Sequence, residues 1–191
     1  SISKSLNSLG ILKLVQQGKI DPEADINKYL KGWQFPYDSL SKGKKITLYN
    51  LLSHTGGLTV HGFAGYERTD KIPTITEILD GKAPANSAPI RSMYEPGLKH
   101  EYSGGGTTIS QLMLTSVTGR RYEEYMQKEV LAPLGMTHSS YRQPNPDTAE
   151  LATGSQAQAG HHRRRPRRRA GEGRGRLRQP AGPDRKSTRL N

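Results

Sequence analysis

Leu6, Leu9, Leu12 and Val15 recur every three residues, and Ile11 and Leu14 widen the stripe. This spacing predicts a helix over residues 1–18, closed by Gly18. A turn through Asp21 and Pro22 leads into a short helical segment at Asn27-Lys28-Tyr29-Leu30. Residues 32–45 read as loop, with Trp33 and Phe35 closing over the core. Thr47 is a good N-cap for a short helix over Leu48–Ser53, and His54-Thr55-Gly56-Gly57-Leu58 then breaks it. Residues 58–72 have no clear period, which suits a binding loop. Another short helix is expected at Thr74–Leu79, stopped by Gly81, followed by a proline-punctuated loop over 82–101. Gly106–Thr118 predicts a helix with Ile109, Leu112, Met113 and Val117 inward, ended by Gly119. Tyr122–Leu131 predicts the last helix, with Tyr122, Met126 and Val130 on one stripe and Glu123, Glu124 and Lys128 outside. There is no internal repeat. Residues 1–154 thus read as one mostly helical, loop-rich domain with few strand signals.

Charge changes this picture only at one end. The 191 residues carry 29 Lys and Arg against 17 Asp and Glu, a formal charge of +12. Residues 155–191 hold 12 of those basic and 2 of the acidic groups, so 1–154 is nearly balanced with 17 basic and 15 acidic. The segment His161-His162-Arg163-Arg164-Arg165-Pro166-Arg167-Arg168-Arg169 has no aromatic neighbours and too little apolar surface to fold. One reading is a basic nucleic-acid-binding arm. The preferred one is a disordered tail translated from a shifted frame of GC-rich DNA, with Asp184–Asn191 resembling a sequencing adapter. Residues 155–191 are therefore set apart from the fold, and no nucleic-acid partner is expected.

There is no cysteine, which excludes disulfides and thiolate metal sites. No apolar run is long enough to span a bilayer. No two histidines have a ligand-like helical spacing, so neither a metal nor another cofactor is expected.

The candidate chemistry starts at Ser1-Ile2-Ser3-Lys4. Positions i and i+3 of a helix share a face, about 5–6 Å apart at Cβ, so Lys4 can reach the Ser1 hydroxyl. A serine needs a neighbouring base to become a nucleophile, and a helix N-terminus adds partial positive charge beside its oxygen. On this tetrapeptide alone the pattern is weak, and a simple N-cap role for Ser1 is the favoured reading.

Four segments then line up in order. They are Ser1-Ile2-Ser3-Lys4, Leu51-Leu52-Ser53-His54-Thr55-Gly56-Gly57-Leu58, Pro96-Gly97-Leu98-Lys99-His100-Glu101-Tyr102-Ser103-Gly104-Gly105-Gly106 and Leu131-Ala132-Pro133-Leu134-Gly135-Met136. Together they resemble the serine beta-lactamase-related family of class C beta-lactamases, penicillin-binding proteins, D-aminopeptidases and lactamase-like esterases. The resemblance implies an α/β, beta-lactamase/transpeptidase-like fold, of which 1–154 holds mainly the helical part and little of the sheet. It implies Ser1 as the acylated serine, Lys4 as its partner and Tyr102 as the tyrosine of a Tyr-x-Asn element, here Tyr102-Ser103-Gly104. Tyrosine beside an ammonium ionises more easily and can take a serine proton. Gly104 replaces the family's asparagine, which weakens beta-lactamase specificity. Ser103, Gly104 and His61 are expected near substrate, and His100 lies on a neighbouring loop. His54 reads as structural, hydrogen-bonded at a helix end.

The family's late Lys-Thr-Gly or His-x-Gly element, which supplies an oxyanion donor, is not found after Tyr102. The chain is expected to be a fragment, inactive or unfolded alone, because losing such a donor costs about 10²–10³ in rate. The expected function of the parent is serine hydrolysis of an ester, an amide or a D-amino-acid peptide. The alternatives are a non-catalytic binding or regulatory homologue and, last, a nucleic-acid-binding protein. Small molecules or peptides are the expected substrates. The family suggests a periplasmic or extracellular setting, although the chain carries no address.

Overall fold

The computed structural model describes residues 2–67 and 69–143; Ser1, Arg68 and residues 144–191 lie outside it. The expected tail of 155–191 is therefore not among the described residues. Among the described residues five helices carry the fold. They are α1 (Ile2–Gln16), α2 (Leu48–Leu52), α3 (Ile75–Asp80), α4 (Gly104–Thr118) and α5 (Tyr122–Met126), which continues as a π-helical turn over Gln127–Leu131. Short 3₁₀ turns occupy Ile26–Lys28 and Ser39–Ser41. Among the described residues strand pairing is limited to two isolated bridges, Asp25 with Thr47 and Leu58 with Ser92. Among the described residues the helical part of the expected fold is present and the sheet is nearly absent.

Local chemistry explains where the helices start and stop. Thr47 and Asn50 form a reciprocal capping box at α2, and Thr74 and Glu77 form another at α3. Gly81 and Gly119 end α3 and α4 in the left-handed conformation. α4 begins at Gly104, two residues before the expected start, because Ser103 Oγ accepts the Gly106 N–H at 2.9 Å. Glycine suits the tight packing of that first turn. A Cβ on Gly105 would lie 3.0 Å from both the Thr59 carbonyl oxygen and the Ile90 side chain.

The core joins α1, α4 and α5 through Ile11, Leu14, Ile109, Met113, Leu114 and Met126, all essentially inaccessible. Here the expected stripe on α1 needs correction. Leu9 and Leu12 are 50% and 39% exposed, while the buried face is Asn7, Gly10, Ile11 and Leu14. Contact geometry selects that face. Gly10 sits against Met126, so close that a Cβ there would lie 2.7 Å from Met126 Sδ. Asn7 is paired on both sides: its Nδ2 donates to Ser110 Oγ at 2.9 Å, and its Oδ1 accepts from the Tyr122 hydroxyl at 2.9 Å. Tyr125 donates its hydroxyl hydrogen to the Gly10 carbonyl at 3.0 Å. Such buried bonds contribute about 1 kcal/mol each when made and cost more when broken.

The last helix also departs from its expected stripe. The π-helical turn widens each step after Met126, so Tyr125 and Leu131 join Met126 and Val130 in the interior. Tyr122 stays only partly buried, with its hydroxyl on Asn7.

Candidate active site

Lys4 lies in the first turn of α1, half-buried, with its Nζ 5.1 Å from the centre of the Tyr102 ring. Tyr102 stands just ahead of the α4 cap and is 38% exposed, which is unlike a core tyrosine. A cation over an aromatic face at this exposure contributes about 0.5–1 kcal/mol. Two of the three expected catalytic groups are thus neighbours across 98 residues of sequence. Ser1, the third, lies outside the described residues.

The segment bearing Tyr102 runs alongside residues 54–61 and is tied to them by backbone bonds. Gly97 N–H donates to the Thr55 carbonyl, Glu101 N–H to the His54 carbonyl and Gly104 N–H to the His61 carbonyl, at 2.8, 2.8 and 3.1 Å. His54 adds two side-chain ties. Its Nδ1 accepts the Ser103 N–H at 3.3 Å, and its ring lies on Tyr102 with centroids 4.6 Å apart and planes tilted by 39°. Nδ1 must be unprotonated to accept, so the neutral ring carries its hydrogen on Nε2. Burial holds the His54 pKa below the ordinary histidine value, and the nearby His100 and Lys4 push it the same way.

His61 is exposed and lies on the other side of Tyr102. Its Nδ1 is 2.6 Å from the Tyr102 carbonyl, which can only accept, so this nitrogen carries the hydrogen. Its Nε2 faces Glu101 Oε1 at 3.7 Å. Glu101 also takes Lys99 at 3.0 Å and the Tyr94 hydroxyl at 3.2 Å. Lys99 and then the Tyr94 hydroxyl hold the Glu101 carboxyl below the usual carboxylate range.

Ser103 and Gly104 have structural tasks here. Ser103 is 3% exposed, and its hydroxyl accepts from Gly106 while donating to the Thr59 carbonyl at 3.4 Å. Gly104 is buried, and a Cβ on it would lie 3.1 Å from the His61 carbonyl and 3.2 Å from the Phe63 ring. An asparagine at this position would require the 61–63 segment to move. Gly104, which stands where the family's motif has asparagine, thus fits the close approach of the 61–63 segment.

Behind Lys4 is a cleft of about 20 Å³ between α1, α2 and α4, lined by Lys4, Asn7, Ser8, His54, Thr107 and Ser110 with Leu51 and Leu52. It is polar and has room for about one water. Another groove, about 610 Å³, lies beside Arg121, Glu124, Lys128 and Arg142 and contains none of the expected site residues. Its wide, charged mouth lacks convergent chemistry, so the Lys4–Tyr102 surface remains the candidate site. Among the described residues no group of three or more His, Asp or Glu side chains could hold a metal ion, and no helix is long and apolar enough to cross a membrane.

The contribution of His54 was visible in the sequence only as a helix-end residue. The available signal was its position: it occupies the place after the α2 C-cap where glycine is usual.

A family model described as Beta-lactamase matches residues 1–183. The chain is 27% identical over 161 residues to Protein flp of Staphylococcus aureus (strain N315), covering 83% of this chain and 30% of that protein. It is similar to a beta-lactamase/D-alanine carboxypeptidase from Yersinia pestis solved with citrate, at 26% identity and a TM-score of 0.55, covering 71% of this chain and 38% of that one. It is also similar to the D-amino acid amidase of Ochrobactrum anthropi solved with D-phenylalanine, at 27% identity and a TM-score of 0.54, covering 71% and 36%. The chain spans about a third of the length of these relatives.

Proposed function

Because the chain belongs to the Beta-lactamase family, we propose that the full-length protein is a serine hydrolase that acylates Ser1, with Lys4 and Tyr102 as the activating pair. The observation that carries this reading is the Lys4 ammonium 5.1 Å from the Tyr102 ring centre, on the helix Ile2–Gln16 that follows Ser1 in the sequence. Lys4 electrostatically favours the ionised phenol of Tyr102. The phenolate takes the Ser1 proton as Oγ attacks the substrate carbonyl carbon. Collapse of the tetrahedral species breaks the bond to the leaving amine or alcohol, which takes the proton back from Tyr102. Water then attacks the acyl-serine as Tyr102 accepts one of its protons, and collapse breaks the bond to Ser1 Oγ, which takes that proton back from Tyr102 as the acid is released.

The proposed substrates are D-amino-acid amides or peptides and simple esters. Support comes from the chemistry named for the Yersinia and Ochrobactrum relatives. Gly104, packed against Phe63 where an asparagine would stand, argues against beta-lactam hydrolysis as the main activity. Residues 155–191 take no part in the proposed site, and the domain boundary is proposed near residue 154.

The test is hydrolysis of D-alanyl peptides and nitrophenyl esters by the full-length protein, with intact mass spectrometry of quenched reactions. Turnover with an acyl adduct mapping to Ser1, abolished in Ser1→Ala, is expected. A folded full-length protein that neither turns over these substrates nor reacts with a fluorophosphonate would favour a non-catalytic binding protein instead.

A further inference from the structure

We infer that His54 is a positioning residue for Tyr102, its neutral imidazole holding the phenol ring by stacking and the following peptide by accepting the Ser103 N–H. The inference deepens the proposed function and rests on Tyr102 serving there.

The backbone supplies the first argument. α2 ends in a Schellman arrangement: Thr55 N–H returns to the Asn50 carbonyl at 2.9 Å and His54 N–H to the Leu51 carbonyl at 3.4 Å. This leaves His54 at φ 57, in the left-handed region where glycine is the default and a β-carbon is a burden. Glycines follow at once, at 56 and 57, so the chain has the residue type at hand but not at this position. A side chain kept in an unfavourable backbone conformation calls for a task that only the side chain can perform.

The contacts supply that task. His54 touches the 100–104 segment in three ways, through its carbonyl on Glu101 N–H, its Nδ1 on Ser103 N–H and its ring on Tyr102. Two of these three bracket Tyr102 itself. Lys4 sits on the same phenol, so His54 and Lys4 both contact the ring.

The charge state follows from the geometry. His54 faces Lys4 from α1 and both His100 and Tyr102 from the 94–103 segment, while the neutral Thr107 and Ser110 of α4 line the same cleft. Protonating Nδ1 would turn an acceptor toward the Ser103 N–H into a second donor, beside the Lys4 ammonium. Burial first, and then the nearby His100 and Lys4, favour the neutral ring.

Two substitutions separate positioning from a helix-end role, both made in the full-length protein. His54→Gly relieves the left-handed backbone and removes the side chain. His54→Asn tolerates the same backbone and places Oδ1 where Nδ1 stood, with no titratable proton. In His54→Gly the melting temperature is expected to stay within about 3 °C of the parent. Exchange of the Ser103 amide should quicken about threefold to tenfold, the equivalent of one net hydrogen bond, and kcat on a D-alanyl peptide should fall about tenfold or more at nearly constant KM. In His54→Asn, Ser103 protection should return and lose its pH dependence, whereas in the parent it fades as the histidine protonates. Unchanged Ser103 exchange and kcat in His54→Gly would overturn the inference while leaving the hydrolase reading intact. A protein that hydrolyses nothing would sink the hydrolase reading, yet the exchange data and their pH response would still decide whether His54 holds this segment.

Discussion

Lys4 Nζ lies over the Tyr102 ring, 5.1 Å from its centre, and the two residues are 98 positions apart in the sequence. This pairing predicts how each substitution should fail. Tyr102→Phe keeps a ring under the ammonium and removes only the hydroxyl. It should leave the far-UV circular dichroism and melting temperature nearly unchanged and lower kcat by about 10²–10⁴, the usual range for a lost proton acceptor. Lys4→Ala should lower kcat comparably. The double substitution should cost little more than either single one, because groups that act as a unit are not additive. Additive losses measured in steady-state kinetics would mean the two residues act separately.

Asn7 predicts a stability effect without a catalytic partner. It is 3% exposed and bridges Ser110 and the Tyr122 hydroxyl. Asn7→Leu would leave the Tyr122 hydroxyl without this buried acceptor and deprive Ser110 of a donor. The expected loss is about 2–3 kcal/mol in urea denaturation at unchanged slope, since an unsatisfied buried group costs about 1–3 kcal/mol. A Tyr122→Phe, Asn7→Leu pair should recover part of it.

The same residue shows why the sequence specified the helices better than their packing. Thr47, Thr74, Gly81 and Gly119 marked element ends because capping is local chemistry, decided within four residues. The inward face of α1 was not legible. Leu6, Leu9, Leu12 and Val15 form a stripe at threes, but Ile11 and Leu14 lie beside it, so the helix is apolar nearly all round and periodicity cannot choose a side. Close approach of Met126 at Gly10 and the pairing of Asn7 decide it, and both depend on residues over 100 positions away. The site divides in the same way. Lys4 and Tyr102 were identifiable from motif order. The hold of His54 on Ser103 depends on a backbone turn that the sequence left unspecified, because a histidine stands where glycine would have announced it.

Glycine positions give a contrast that tests the 93–97 segment. Gly57 and Gly18 have nearly equal φ, 64 and 68, yet a Cβ on Gly57 would run into the Tyr94 carbonyl oxygen whereas Gly18 has nothing within 4 Å. Gly57 also accepts the Met93 N–H at 2.7 Å, so it anchors that segment beside the site. Gly18→Ala should cost about 1 kcal/mol, the left-handed penalty alone. Gly57→Ala should cost more than about 3 kcal/mol, because backbone atoms must also move. Equal urea midpoints for the two variants would show that the approach of Tyr94 to Gly57 is not tight in solution.

Stability should fall in mildly acidic solution, and His54 sets the sign. Its folded pKa lies below the ordinary value of 6.5, first through burial and then through His100 and Lys4. The unfolded chain therefore binds a proton more readily than the folded one between 6.5 and that lower value. Stability contributed by the neutral ring is fully present above 6.5 and declines as pH falls through this window. The carboxylates act later. Glu101 and Glu129 have folded pKa values below their ordinary 4.5, mainly through Lys99 and Lys13 respectively, and Asp80 lies below 3.8 mainly through the Trp33 Nε1–H. Their contribution is present above those ordinary values and is lost as pH falls below them. Urea midpoints taken from pH 8 to pH 5 should therefore decrease below 6.5 in the parent protein. In His54→Asn the decrease should be visibly smaller, because Oδ1 accepts the Ser103 N–H at every pH. Parallel curves for the two proteins would remove His54 from the pH response and assign it to another group.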